Sequence, residues 1–247
     1  MTEVAPGVFR LGSDIVNWYV VKDGDALTAV DAGLPGFGDT LEDDLGAHDL
    51  DFGQVEAVVL THSDGDHIGL AARFKEAGAR VLIHEADAGT LAKPAPKSGD
   101  AAPPKLLQHV WRPALWRFFG YMARRGGGKP PPVEADATFA DGDVLDVPGR
   151  PRVLHTPGHT KGHSALLLED RGVLFVGDSL CTWNPLTGSR TPQLMPHPFN
   201  EDNRACVSSL DSIAGADAGV LFPGHGDPWH GSPAKAAERA REKATTT

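Results

Sequence analysis

The sequence predicts an α/β protein, and three features of the chain carry that prediction. Short apolar runs bounded by Gly and Asp recur along it, as expected of strands that end in turns. One of them, VEAVVL at residues 55–60, is apolar except at Glu56, and such a run is typical of a strand buried on both faces. A stretch with helical spacing, IGLAARFKEAG, follows after a short polar loop and stops at Gly78.

The remaining elements follow in chain order within one predicted domain of 247 residues. The predicted strands are VFRL, NWYVV, ALTAVD, VEAVVL, RVLIH, RVLH, SALLLED, GVLFVGD and AGVLFPGHG. Further helices are predicted around ACVSSLDSIAG and near the C-terminus. An inserted aromatic helical segment occupies about 92–132, lies between two Pro/Gly clusters and is expected to be interrupted at Pro113.

Composition and charge exclude several classes of protein. Hydrophobic residues make up 40% and charged residues 23% of the chain, as in an ordinary globular protein. A formal net charge of −10 argues against a nucleic-acid partner. The apolar runs are too short to span a bilayer, and MTEVAPGVFRLG lacks the pattern of a secretory signal, so no membrane partner and a cytoplasmic location are expected. Two cysteines without CxxC spacing indicate neither a disulfide framework nor a thiolate metal site.

Polar clusters follow the ends of four predicted strands. THSDGDH follows VEAVVL, TPGHTKGH follows RVLH, GDSL follows GVLFV, and PGHG follows GVLF. In α/β sheets the loops at the carboxyl ends of strands meet at one edge, where ligands bind. The four clusters therefore predict one shared site.

The residue types in these clusters favour a metal centre. His62 and Asp64 alternate and so point the same way, whereas Asp66 and His67 lie where the chain turns into a helix and face a second direction. Gly65 permits the sharp turn between the two pairs. Two such pairs suit a two-metal site, whose ions lie about 3.5–4 Å apart. The remaining candidate ligands are His159, Asp178 and His225. A single histidine is more often a core or capping residue, but four histidines and three aspartates together at strand ends favour a metal centre.

As a set, these motifs are similar to those of a known family. The run H-x-[H/D/E]-x-D-H, together with TPGHTxGH, GD-S-L and PGHG, resembles the metallo-β-lactamase fold superfamily. The VDAG stretch at residues 30–33 resembles that family's early strand and turn. The resemblance extends from about residue 8 to about residue 229, without the inserted segment. It implies a four-layer αββα sandwich with the metals at one edge.

The resemblance also implies a ligand set. One metal would be held by His62, Asp64 and His159, the second by Asp66, His67 and His225, and Asp178 would bridge the two. The expected cofactors are two divalent metal ions, with zinc as the first choice and manganese or iron as alternatives.

Asp64 departs from the family pattern, because most of its hydrolases have His there. An acidic residue at this position occurs in flavodiiron proteins, as Glu, and in some hydrolase-like members, as Asp. Three ligand carboxylates and a bridging hydroxide cancel the charge of two divalent ions, so the centre should be a weaker Lewis acid and attract anions less. Oxygen ligands also favour harder ions. The alternative is that Asp64 only hydrogen-bonds to a ligand.

The implied activity is hydrolysis of an ester, thioester or lactone carbonyl of a small molecule by a metal-activated hydroxide. Asp66 is the predicted catalytic residue, which would orient the hydroxide and pass its proton to the leaving group. Two alternatives stay open. One is a di-iron redox protein resembling the flavodiiron core, and the other is a non-catalytic member that keeps metal for stability. The oligomeric state is open, with a homodimer among the possibilities.

GDSL also matches the nucleophile block of GDSL-type esterases, with Ser179, His230 and Asp227 as a triad. The order of the motifs and the lack of a GxND block argue against that mechanism.

Three sets of residues have open roles. The inserted segment is interpreted either as a lid over the metal edge or as core packing or a dimer contact. His163 flanks His159 and supports a ligand or has a structural role. Asn184, Arg190 and His197 lie in the loop after Asp178, where they either reach the substrate or form ordinary loop structure.

Overall fold

The computed structural model describes residues 1–93, 99–101 and 106–245 of the chain. Most of the first Pro/Gly cluster of the inserted segment, KPAPKSGDAAPPK, lies outside the described residues.

The first half of the chain forms a seven-stranded sheet in which the strands lie in sequence order. The strands are β1 Thr2–Ala5, β2 Val8–Gly12, β3 Asn17–Asp23, β4 Ala26–Val30, β5 Val55–Val59, β6 Arg80–His84 and β7 Ala137–Phe139. The pairs from β1 to β4 are antiparallel, and those from β4 to β7 are parallel. Parallel pairs need long crossover connections, and these contain the helices. They are α1 Leu41–Gly46, α2 Ala71–Glu76, α3 Glu85–Ala92 and α4 Pro113–Arg124.

The second half forms a five-stranded sheet in the order β12-β11-β10-β9-β8. Its strands are β8 Arg152–His155, β9 Ser164–Leu168, β10 Val173–Gly177, β11 Val220–Pro223 and β12 Trp229–His230. Its one parallel pair, β10 and β11, is connected through α5 Asn203–Ala214, and the described chain ends in α6 Pro233–Thr245.

Three apolar clusters separate four layers. Tyr19 of the first sheet packs between the sheets against Phe222 of the second, with ring centroids 5.1 Å apart. Phe74 of α2 belongs to a cluster on the outer face of the first sheet, and Leu210 of α5 and Ala237 of α6 belong to one on the outer face of the second. Burial on both faces of each sheet therefore produces the αββα sandwich, and the predicted fold class is confirmed.

All nine predicted strands are present in the structure. In β5 the expected burial holds except at Glu56, which is exposed. Five further elements lack a clear pattern in the sequence: β1, β7, β12, α1 and α3. α3 shows the reason, since Leu91 is the only large apolar side chain among its eight residues. Its place is set by packing rather than by periodicity.

The inserted segment differs from its prediction at Pro113. This proline does not interrupt a helix but begins α4, where its missing N–H and fixed φ are favourable. Leu115 and Phe118 face the core, whereas Trp116 and Phe119 are exposed. None of the described helices combines the length and apolar character needed to cross a bilayer.

Candidate metal centre

Four loops meet at one edge of the sandwich, after β5, β8, β10 and β11. They bring together all seven candidate ligands, which are His62, Asp64, Asp66, His67, His159, Asp178 and His225. Six of these side chains are buried, and Asp64 is 26% exposed. The predicted convergence of the four polar clusters is therefore present in the structure.

His62, Asp64 and His159 form the first cluster of potential ligand atoms. Asp64 Oδ2 lies 3.0 Å from His159 Nε2 and 3.7 Å from His62 Nε2. Asp64 thus lies among the ligand atoms themselves rather than behind one of them, which favours its interpretation as a ligand.

Asp66, His67 and His225 form the second cluster. Asp66 Oδ2 lies 3.5 Å from His225 Nε2 and 3.9 Å from His67 Nε2. The two clusters hold the same two sets of three residues that the resemblance implies.

Asp178 lies between the two clusters. Its Oδ2 is 3.1 Å from His225 Nε2 and 3.4 Å from His159 Nε2, while its Oδ1 is 3.4 Å from His67 Nε2. One carboxylate thus faces histidines of both clusters, as a bridging ligand would.

Unpaired polar atoms show that these residues fit a metal. His62 Nε2, His67 Nε2 and Asp178 Oδ1 are buried and have no hydrogen-bond partner within the described part of the chain. A buried polar atom left unpaired costs about 1–3 kcal/mol, which coordination to a cation would offset. Imidazole nitrogens and carboxylate oxygens are ligands of zinc, manganese and iron. The fold and these buried clusters together indicate divalent metal binding.

The electrostatics of the centre favour positive charge. Burial by itself lowers the pKa of His67, but the carboxylates of Asp178, Asp31 and Asp66 outweigh it and raise the pKa to about 10. Burial also lowers the pKa of His225, but the carboxylate of Asp178 outweighs this effect, so the pKa is raised. The carboxylates therefore stabilise positive charge at these imidazoles, so binding of a metal ion would release protons.

The Nδ1 atoms of the four histidines are all engaged, which leaves each Nε2 facing the centre. His67 Nδ1–H donates to Asp31 Oδ2 at 2.8 Å, and His159 Nδ1–H donates to Asn200 Oδ1 at 2.9 Å. His225 Nδ1–H donates to the carbonyl of Ile15. The fourth contact joins His62 Nδ1 to Thr61 Oγ1 at 2.9 Å. Such partners fix the tautomer and orientation of metal-binding imidazoles.

Asp31 is a supporting residue to which the sequence pattern gives no role. It lies in VDAG just after β4, in a left-handed conformation with φ 62°. Its carboxylate accepts hydrogen bonds from Thr61 N, Thr61 Oγ1 and His67 Nδ1. It therefore ties β4 to the first metal-binding loop.

We expect Asp31→Asn to weaken metal binding by about 10- to 100-fold, because it removes the charge that orients His67. Asparagine tolerates a positive φ, so the backbone should be unaffected. The measurement is competition for metal against a chelator of known affinity. Asp25→Asn, at an exposed position in the β3–β4 turn, is the control. Equal affinities in both variants would show that Asp31 does not support the centre.

Asp87 of α3 joins two of the metal-binding loops and also lacks a sequence signal. It accepts hydrogen bonds from Thr160 Oγ1 at 2.7 Å, Gly162 N at 2.7 Å and Ser63 N at 3.3 Å. Its buried carboxylate thus connects the His62 loop to the His159 loop.

His163 positions the loop that carries Asp178. Its Nε2 accepts hydrogen bonds from the backbone N–H groups of Asp178 at 2.9 Å and Ser179 at 3.2 Å, and its Nδ1–H donates to Thr156 Oγ1. Burial and the neighbouring His62 hold its pKa well below the usual range. His163 is therefore a neutral acceptor that orients a neighbouring loop.

The serine-esterase interpretation has no support in the geometry. Ser179 is buried, and its hydroxyl donates to the carbonyl of Val176 at 2.7 Å. His230 is exposed, and Asp227 accepts from Arg10 and Arg190 rather than from His230. Within the described chain, no hydrogen bond links Ser179, His230 and Asp227 to one another.

The described part of the inserted segment lies against the centre and also packs into the core. The Phe118 ring is 5.7 Å from the His225 ring. Gly65 of the metal loop lies so close to the segment that a Cβ there would be 2.9 Å from the Gly127 carbonyl oxygen. The buried face of α4 therefore both packs into the core and lies against the centre, and a lid function stays a prediction. A dimer contact stays a prediction.

The loop after Asp178 contacts the centre through a residue that the sequence does not single out. Asn200 at its end holds His159 and donates to the Met195 carbonyl. Asn184 instead caps its own turn by accepting from the backbone N–H groups of residues 186 and 187. Arg190 pairs with Asp14 at the surface.

An αββα sandwich with His and Asp side chains at strand ends of both sheets defines a metallo-β-lactamase-type protein. The family model described as the metallo-beta-lactamase superfamily matches residues 11–225. The chain therefore belongs to the metallo-β-lactamase superfamily.

Several of its relatives are named as hydrolases. The probable metallo-hydrolase YflN of Bacillus subtilis is 26% identical over 247 residues, which cover 93% of this chain and 87% of that protein. The atrochrysone carboxyl ACP thioesterase of Aspergillus chevalieri is 26% identical over 240 residues, covering 94% of this chain but 58% of the thioesterase. A metallo-beta-lactamase family protein of Thermus thermophilus superposes with a TM-score of 0.70 at 27% identity, covering 99% of this chain and 81% of that structure. These relatives support a metal-dependent hydrolase.

Proposed function

We propose that this protein is a hydrolase that uses two divalent metal ions to open an ester, thioester or lactone of a small molecule. The observation that carries the proposal is the pair of adjacent clusters with Asp178 between them, whose carboxylate faces His159 of one and His67 of the other. His62, Asp64 and His159 would hold one ion, and Asp66, His67 and His225 the other. Zinc is the first choice, because imidazoles outnumber carboxylates four to three.

Bound metal would supply Lewis acidity, which polarises the substrate carbonyl and lowers the pKa of the attacking water. The chain supplies the proton relay and the enclosure. Asp66 is buried at the centre and offers a carboxylate that can accept a proton from the attacking water and deliver it to the leaving group. Phe118 covers His225 and limits access of bulk water on that side.

The thioesterase among the relatives supports an acyl substrate with a thiol or oxygen leaving group. Two other functions remain as test outcomes, a di-iron redox protein and a non-catalytic metal-stabilised member.

The deciding experiment is metal content per chain by mass spectrometry, on protein grown with zinc, manganese and iron together, followed by a panel of esters, thioesters and lactones. Two zinc or manganese ions with turnover on the panel would support the proposal. Two irons with reactivity toward O₂ or NO would favour the redox protein. Loss of stability on chelation without any turnover would identify a non-catalytic member.

We expect Asp64→His to shift metal preference toward zinc by about tenfold and to lower the pH optimum of turnover. The substitution replaces a hard oxygen ligand with an imidazole and removes one negative charge from the centre. Zinc–manganese competition and the pH–rate profile measure the two effects. Asp146→His, at an exposed position, is the control. If neither quantity changes, Asp64 is not a ligand.

A further inference from the structure

A groove of about 390 Å³ separates residues 13–15, in the loop between β2 and β3, from one face of α4. We call it the α4 groove. Its helix wall includes Trp116, Gly120, Tyr121 and Arg124. The volume lies toward the lower end of the range for small-molecule sites.

The α4 groove lies beside the metal centre. Ile15 lines it, and the carbonyl of Ile15 accepts the hydrogen bond from His225 Nδ1. The opposite, buried side of α4 carries Phe118, which contacts the His225 ring. Ile15 therefore contributes both to the groove and to the support of the second cluster.

The lining of the α4 groove carries excess positive charge, because it contains two guanidinium groups, Arg117 and Arg124, and one carboxylate, Asp14. Asp14 pairs with Arg117 at 3.0 Å and also with Arg190. Arg190 itself is not among the residues that line the groove. Partial burial alone would raise the pKa of Asp14, but Arg190 and Arg117 outweigh it and lower the pKa, so this carboxylate stays ionised.

Two donors on the helix wall have no partner. The Arg124 guanidinium has no hydrogen bond or ion pair with any described residue, and the Tyr121 hydroxyl has no hydrogen bond within that part of the chain. Trp116 beside them is 63% exposed. An arginine fork matches the oxygens of a carboxylate or phosphate, and an exposed indole offers a flat apolar surface.

The charge distribution of the chain indicates a role for the basic residues on this helix wall. The metal centre contains three carboxylates, so it attracts an anionic substrate weakly. Residues 106–132, by contrast, contain five Arg or Lys and no Asp or Glu in a chain of net charge −10. The segment that covers the centre thus carries the positive charge that the centre lacks.

We propose that the α4 groove binds the non-reacting end of the substrate, with an aromatic or acyl group against Trp116 and a carboxylate or phosphate at Arg124. The proposal rests on the proposed hydrolase function and specifies its substrate as an anionic ester, thioester or lactone.

Binding by the metal-loaded full-length protein tests the proposal separately from turnover. Calorimetry compares 2-naphthylacetate with the neutral 2-(2-naphthyl)ethanol, and 2-naphthyl phosphate distinguishes a phosphate from a carboxylate preference. We expect the preferred anion to bind about tenfold tighter than the alcohol, because one charge-assisted hydrogen bond contributes about that much affinity. Arg124→Gln should abolish that preference, whereas the control Arg239→Gln on α6 should keep it.

Gly120→Leu provides a second, steric test. A Cβ at Gly120 would have no heavy atom within 4 Å, so a leucine there projects into open space without a clash in the protein. Leucine is also a better helix former than glycine, so α4 should persist. We expect this variant to bind both the acid and the alcohol at least about tenfold more weakly, because the leucine side chain would occupy the space that the ligand needs.

The results separate the two proposals. An anion preference retained in Arg124→Gln would place the anion elsewhere, for example on the metals, and would overturn the α4 groove as its site. Unchanged affinities in Gly120→Leu would also overturn it. If the binding pattern holds but no ester, thioester or lactone is hydrolysed, the hydrolase proposal fails and the groove stands. Turnover without the binding pattern would support the hydrolase proposal and overturn the α4 groove as the substrate-binding site.

Discussion

Replacing Asp66 with alanine is expected to reduce turnover by about 10²- to 10⁴-fold, the range that general acid–base catalysis contributes. Asp66 is buried at the centre, with Oδ2 3.5 Å from His225 Nε2, so it is both a candidate ligand and the candidate proton relay. The variant should keep the first cluster and Asp178, so metal content should fall from two ions to one. Steady-state kinetics and mass spectrometry measure the two quantities.

The fold of Asp66→Ala should survive, because the side chain lies in a loop outside the three apolar clusters. A thermal melt checks this, and Asp43→Ala on the exposed side of α1 is the matched control. A rate equal to that of the unmodified protein, with metal content preserved, would rule out Asp66 as the proton relay.

Replacing Asp178 with alanine is expected to weaken binding of both metal ions. Asp178 faces His67 and His225 of the second cluster and His159 of the first, so its loss affects each. The decrease should exceed about 100-fold, since residues that only orient a ligand already contribute 10- to 100-fold. Titration with a chelator of known affinity, on the metal-loaded protein, gives both dissociation constants.

Asp170→Ala is the control for Asp178→Ala, because it lies exposed in the turn before the same strand, β10. Weakened binding of only one ion would assign Asp178 to one cluster and contradict its role as a bridge. Unchanged binding of both would contradict the metal centre as a whole.

The role of α4 links these predictions. Its buried face places Phe118 on His225, and its other face lines the α4 groove. Enclosure of the reacting centre and choice of substrate would therefore reside in one inserted helix. Substitutions on the groove side, such as Gly120→Leu, should change binding without changing the metal content.

Much of the fold and the centre is readable from the sequence. Largely apolar runs such as VEAVVL identify the central strands, since these strands are covered on both faces. The polar clusters that end these strands identify the seven side chains that lie together. The α/β class was therefore predictable, as was the convergence of four loops on one edge. The assignment of Asp66 as a catalytic residue and of two metals stays a prediction.

The supporting residues were not predictable, because they act across long separations in the chain. Asp87 reaches Gly162, and Asn200 reaches His159, through single side chains with no periodic pattern around them. Asp31 lies in a recognisable turn, yet its contact with His67 depends on how β4 pairs with β5.

The sequence by itself determined the strands, the fold class and the identity of the His and Asp side chains at the strand ends, because burial and strand periodicity leave local patterns. Only the tertiary structure decided which groups orient those side chains, where α4 begins and which of its faces meets the centre. These features depend on contacts between distant segments, which are set by packing of the layers and not by any neighbouring stretch of residues.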